Sequence, residues 1–168
     1  MSYIGSVNPV PYIPGQIVDS NPYSILSLPN TTASTIPYGI AMIFDSANTG
    51  YKSPTSSGDI TNRMAVNLII NRNKLYSTDS SLNPTIIDNN GTPAGQESAG
   101  MIFGNVAVFV EEDVLVGQQC FIRYAAGTGG TQLGAFRASA NSSTAAAHPS
   151  WYYTSSATAG TKATVCVR

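Results

Sequence analysis

The clearest hydrophobic patterning runs from Gly104 to Ala138. Val106, Val108 and Val110 alternate with Ala107 and Phe109, the period of two that turns one face of a β-strand toward a core. Glu111-Glu112-Asp113 interrupts the run, Val114-Leu115-Val116 resumes it, and Gly117 ends it with a residue that tolerates positive φ. A second strand is expected from Cys120 to Tyr124, closed by a turn at Gly127, Gly129 and Gly130. Gln132 to Arg137 reads as a third, with Leu133, Ala135 and Arg137 on one face and Phe136 on the other.

Elsewhere the pattern is weaker but of the same kind. Gly39 to Phe44 and Met64 to Ile70 are apolar runs of strand length, separated by a turn-rich interval from Asp45 to Thr61. Lys74 to Tyr76 and Thr85 to Ile87 read as weak strands, and Asp88 to Gly100 as a loop in which Asn90-Gly91 is a good tight-turn pair. After Ala138 one weak helical turn is expected around Ala145 to Ala147, stopped by Pro149, before the aromatic cluster Trp151-Tyr152-Tyr153. The chain closes in period two, with Ala163, Val165 and Val167 on one face and Cys166 on the other. About nine or ten short strands without a long helix predict a mainly β fold: an antiparallel β-sandwich, a jelly roll or a small barrel.

Residues 1–38 differ from the rest. They hold six of the ten prolines and a single charge, Asp19, yet carry large apolar groups including Tyr3, Ile4, Tyr12, Ile13, Ile17 and Tyr23. Proline excludes helix through most of this segment, and an ordinary disordered tail would be charged and poor in such groups. The expectation is an extended N-terminal arm over 1–38, lying on a neighbour or wrapped around its own domain, followed by a β domain over 39–168.

Composition narrows the function. At 168 residues the chain is of single-domain size, and only 10% of its residues are charged, against about 25% in an average protein. The surface must therefore be mostly neutral and polar. A net charge of −1 with scattered basic residues gives no support to nucleic-acid binding, and no apolar run is long enough to span a membrane. Met1 is followed by neither a basic start nor an apolar segment of the secretory type, so synthesis and folding in a cytoplasm are expected. Cys120 and Cys166 each sit in an apolar strand context, as two buried small hydrophobes or as one disulfide tying the last strand to the core.

The chain offers little chemistry. A lone histidine, His148, without a placed carboxylate or thiol is a poor base and a poor metal ligand. Glu111-Glu112-Asp113 is the only acidic cluster, and consecutive residues on an extended chain point to opposite sides, which suits a solvated strand end or a salt bridge to Arg123 or Arg137 better than a cation site. Catalytic, cofactor and metal residues are accordingly expected to be none. Trp151-Tyr152-Tyr153 is either core or interface packing, or a platform that stacks on a sugar ring.

The run from Val106 through the acidic turn to Leu133-Gly134-Ala135-Phe136-Arg137, the small-residue loop, the aromatic element and the Gly-flanked last strand resembles the C-terminal half of tailed-bacteriophage structural cement proteins. The segment Pro37 to Phe44 is similar to that family's strand after the N-terminal arm. Cys166 and the terminal Arg168 depart from the plainer apolar strand expected there. The resemblance implies a non-enzymatic capsid decoration protein that binds the outside of a phage head and clamps neighbouring major capsid proteins. It further implies a homo-oligomer, a trimer favoured over a dimer, made in the host cytoplasm and carried on the virion. The interface candidates on this reading are Tyr3, Ile4, Tyr12, Ile13, Ile17 and Tyr23 of the arm together with Trp151, Tyr152 and Tyr153. The competing reading is a tail-fibre or adhesion-type β module that binds host glycans through Trp151 to Tyr153.

Overall fold

The computed structural model describes residues 13–18, 22–69, 91–127 and 132–168. The weak strands expected at 74–76 and 85–87 lie outside the described residues, as do Tyr3, Ile4 and Tyr12. The chain is mainly β, an antiparallel sheet curled into a half-barrel. The strands are β1 Ser24–Pro29, β2 Ile36–Pro37, β3 Ala41–Phe44, β4 Tyr51–Lys52, β5 Met64–Asn67, β6 Gly91–Thr92, β7 Glu97–Phe109, β8 Gln119–Arg123, β9 Phe136–Arg137, β10 Ala145–Tyr153 and β11 Lys162–Val167. Their order in the main sheet is β4-β3-β5-β7-β11-β10-β8-β9, with β1 also paired to β7, while β2 and β6 form a separate ribbon. The one helix among the described residues, α1 Ser57–Ile60, is a single turn held by a capping box between Ser56 and Asp59.

The 13-residue β7 is the strand the others are built on. Its first half pairs with β1 and β5, and its second half with β11 and, through Gly15, Gln16 and Val18, with the stretch before β1. In the first half Ala99 and Met101 face the main core, whereas in the second half Val106 and Val108 do so, followed by Val110 just past its end. The core-facing parity therefore switches from odd to even along one strand. The switch sits at Gly104, whose φ is +129°, beside a bulge where the β1 register slips between Ser24 and Ile25. One extra residue inverts every side chain beyond it, so a single strand can serve two differently oriented halves of the sheet.

The first half buries its other face as well. Tyr51, fully buried, lies against Gly100 and donates its hydroxyl to the Leu26 carbonyl at 2.8 Å, within a second cluster of Ile36, Ile40, Met42, Tyr51 and Ala65. Asn67, inside the apolar run, fastens the β2–β6 ribbon to this half. Its amide donates to the Ile36 and Pro37 carbonyls, and its carbonyl accepts from Ser98 and Thr92.

The structure departs from the patterning in several described places. The strand expected over Gln132 to Arg137 is a turn at Leu133 and Gly134 followed only by the two-residue β9, with Ala135, Phe136 and Arg137 all buried instead of alternating, and the turn-rich interval from Asp45 to Thr61 contains β4 and α1. Ala145 to Ala147 is not a helical turn but the start of β10, which pairs with β8, shifts register between Ala147 and Tyr152, and runs on to Tyr153 through Pro149. A proline is tolerated where the ladder is already interrupted. The expected loop up to Gly100 contains β6 and the first residues of β7. Residues 24–29 and 36–37, within the segment read as an arm, pair with β7 and β6.

A side chain at position 104 would have to occupy a left-handed backbone, with its Cβ 2.8 Å from that of Tyr23. Gly104→Ala is expected to lower the unfolding free energy by about 1–3 kcal/mol. Urea titration checks this, as a lower midpoint at an unchanged m-value.

Candidate functional site

The only ion pairs among the described residues form one buried network. Arg123, with a fully buried side chain, places its Nε and Nη2 on the Glu111 carboxylate at 2.8–3.1 Å, while its Nη1 donates to the Ala125 carbonyl and the Thr144 hydroxyl. Arg137 donates to Glu111 at 2.6 Å and also to Glu112, which accepts in addition from the Ala138 amide and the Ser139 hydroxyl. Two cations and two anions cancel, so no net charge is buried. The acidic turn thus makes salt bridges to both arginines rather than ending in solvent, and no group of three metal-ligating side chains occurs among the described residues.

The network lies on a seam. β9 is the last strand of the sheet, yet Phe136 bridges back to Val110, and the Glu111 amide donates to the Phe136 carbonyl at 3.0 Å. Gly134, at φ +81°, approaches Ala41 so closely that a Cβ would stand 2.2 Å from its carbonyl oxygen. The Ala41 amide donates to the Gly134 carbonyl. Leu133 to Arg137 therefore performs several tasks in succession: close approach to β3, the core ring of Phe136 stacked on Trp151, and the Arg137 guanidinium.

The candidate interface residues are placed unevenly. Ile13 and Tyr23 are exposed, and Ile17 is half-buried in a bridge to Val106. Trp151 is 1% exposed, and Tyr153 is fully buried with its hydroxyl on the Arg137 carbonyl. Tyr152 is half-buried, with the Arg168 guanidinium over its ring. The aromatic cluster is thus mostly core, and the exposed platform that sugar stacking requires is not formed at 151–153. Patterning read Val114-Leu115-Val116 as a resumed apolar run, but only Val114 is buried; Leu115 and Val116, at 66% and 64%, are the most exposed large apolar side chains among the described residues. They occupy the tip of a turn closed by the Gln118 amide on the Leu115 carbonyl, and Gly117, at φ +81°, is the sequence signal for it.

An open cleft of about 400 Å³ lies between the residues that follow α1 and residues 148–151 of β10. Buried Met64 and Trp151 line its floor, and exposed Arg63, Ser150 and Arg168 its rim. His148, 5% exposed, also lines it, stacked on Trp151 with ring centroids 4.3 Å apart. Its Nδ1 accepts from the Ser150 and Trp151 amides, and burial lowers its pKa from 6.5 to about 4. The two cysteines are free and lie on opposite faces of the sheet: Cys120 in the core, where burial pushes its thiol up, and Cys166 opposite Tyr152 on the outer face.

A family model described as "Structural cement protein (E217 gp24/Pam3 gp6)" matches residues 5–168. The chain belongs to this family of phage structural cement proteins, and its role is structural, in stabilising the capsid. No curated protein matches it. Among solved structures, a chain from "The capsid of Myoviridae Phage XM1" is similar in fold, with a TM-score of 0.64 at 12% identity over 100% of this chain and 98% of that one.

Two outcomes follow from the geometry. Arg123→Leu leaves Glu111 buried without its principal partner and is expected to cost about 3–5 kcal/mol in a urea titration. Replacing the whole cluster with apolar residues of matched volume is expected to cost much less. The second concerns His148. Below pH 6.5 the unfolded chain takes up a proton that the folded chain resists until about pH 4. The stability held by neutral His148 is thus complete above pH 6.5 and falls by up to about 3 kcal/mol as pH drops toward 4. His148→Gln should flatten that part of the difference curve.

Proposed function

We propose that this protein seats on the outside of a bacteriophage head and clamps neighbouring major capsid protein subunits, acting by contact rather than by catalysis. The family match over 5–168 carries this reading. The physical design supports it. A curled sheet closed by a buried, internally neutral ion network is a stiff body, and a surface poor in charge suits contact by shape and apolar burial. The N-terminal arm supplies the second part of the clamp. Its first residues, with Tyr3, Ile4 and Tyr12, carry apolar groups on a proline-restricted chain that loses less entropy on docking than a free one. Exposed Ile13 and Tyr23 extend that surface onto the β domain. The protein is made in the host cytoplasm and assembles as a homo-oligomer, a trimer at local three-fold positions in preference to a dimer, so that weak contacts repeated over the shell add up.

Co-sedimentation with phage heads that lack the protein, before and after head expansion, tests the reading. Saturable binding to expanded heads is expected, with a count of bound subunits that identifies the symmetry positions. Because Gly15 to Val18 bond to β7, the arm is tested by deleting residues 2–12 only. The truncated chain should keep its circular dichroism and lose shell binding. Sedimentation of the full chain with neither shell would overturn the proposal.

A further inference from the structure

β10 forms one wall of the cleft with its ladder interrupted. Toward β8 it has no paired residue between Ala147 and Tyr152, and β11 takes up only Tyr152 and Tyr153. Pro149 within the gap has no amide hydrogen to give, whereas the amides of Ser150 and Trp151 need an acceptor. One side chain serves both. Nδ1 of His148 accepts from the Ser150 amide at 3.3 Å and from the Trp151 amide at 3.2 Å. An amide N–H can only donate, so this nitrogen must keep its lone pair, and the imidazole is neutral with its proton on Nε2. The Gln119 side chain holds the His148 carbonyl at 2.8 Å, and the ring stacks on Trp151. The surroundings do not favour a cation. The charged side chains of the cleft lining are Arg63, which follows α1, and Arg168, which follows β11. β7 contributes Ile102 and β8 the neutral Gln119. The carboxylate of Asp59, on α1, is bonded to Thr55 and Ser56, and the main-chain oxygen of Arg168 takes the Ser150 hydroxyl and Trp151 Nε1.

We propose that His148 is an acid-sensitive latch: its bare Nδ1 holds the kink from 148 to 151 closed, and a proton there releases the kink and one wall of the cleft while the flanking ladders stay paired. Protonation turns the acceptor into a donor that faces two donors, so both bonds are lost in one step. It also adds a third positive group beside two guanidiniums. What stays in place is anchored independently. Ala145 to Ala147 are paired with β8, the Tyr153 amide and carbonyl bond to Gln118 and Gly117, and the Trp151 ring stacks on Phe136. Burial holds the closed imidazole at a pKa of about 4, and the released one returns to the ordinary 6.5, so the ratio of open to closed rises by up to about 300-fold as pH falls through that interval. The latch is shut at neutral pH and opens between the two values.

An NMR titration of the full chain from neutral pH to about pH 4 tests this. The Ser150 and Trp151 amide resonances should move along the same curve as the His148 ring, with a midpoint between 4 and 6.5, while those of Val106 and Val108 in β7 hold their positions. Over the same range the protection of the Trp151 amide against hydrogen exchange should fall by about tenfold or more relative to Val108. His148→Gln supplies a neutral acceptor at every pH, and in that variant the two amides should no longer follow the titration. A ring that titrates at 6.5 overturns the proposal, because nothing then holds it closed. So do Ser150 and Trp151 amides that stay fixed while the ring titrates, or that still titrate in His148→Gln. A sheet whose amides all collapse in one step overturns it too, since that is acid unfolding without a latch.

Discussion

The fold depends on a salt-bridge network at the place where a curled sheet meets itself. Closing β9 back toward β7 brings the ends of three strands together, and strand ends carry backbone groups that the ladder no longer satisfies. Glu111 and Glu112 meet this need twice over. They neutralise Arg123 and Arg137, and Glu112 also takes the Ala138 amide, while the backbone of Glu111 bonds to Phe136. Such a network is a poor source of raw stability, because taking four charges out of water offsets most of their attraction. It is a strong source of uniqueness, since a slip of any strand by one residue would strand a buried charge. The scarcity of charge elsewhere fits this: four of the chain's few ionised side chains are committed to holding one geometry.

The rest of the architecture follows from β7. A strand with one face parity can serve only one core, and the glycine bulge at 104 gives it two orientations. That is why the half with β3, β4 and β5 can bury both faces while the half with β8, β10 and β11 turns an outer face to solvent. Family membership becomes physically intelligible on these terms. Leu133 to Arg137, the segment that marks the resemblance to cement proteins, contains no reactive group, yet it contains the glycine, the ring and the guanidinium that the seam requires.

Period-two patterning was most informative where a strand buries one face. Val106, Val108 and Val110, Cys120 and Ile122, and Ala163, Val165 and Val167 all face the core, as their alternation predicts. For the acidic turn the sequence left open a solvated strand end or a salt bridge to Arg123 or Arg137, and the structure pairs it with both arginines. Other features had no local signal. Ala145 to Ala147 has the composition of a helix and forms a strand because β8 offers an edge to pair with. Asn67 reads as an ordinary strand residue, and its role as a clamp exists only once Ile36, Thr92 and Ser98 converge on it from distant positions. Trp151 and Tyr153 could be read as a platform or as core from their identity alone, and alternation along β10 decided for the core.

The length of β7 has a mechanical meaning. Every strand that pairs with it runs antiparallel along its axis, and the two halves of the sheet are joined through its continuous backbone. A pull that separates the ends of this strand loads its hydrogen bonds in shear, so that many must yield together rather than unzip one after another. Under such a load β7 would act as a tie-rod, and the resistance it offers would be set by the rate at which its ladders fail, a kinetic quantity that equilibrium stability does not report.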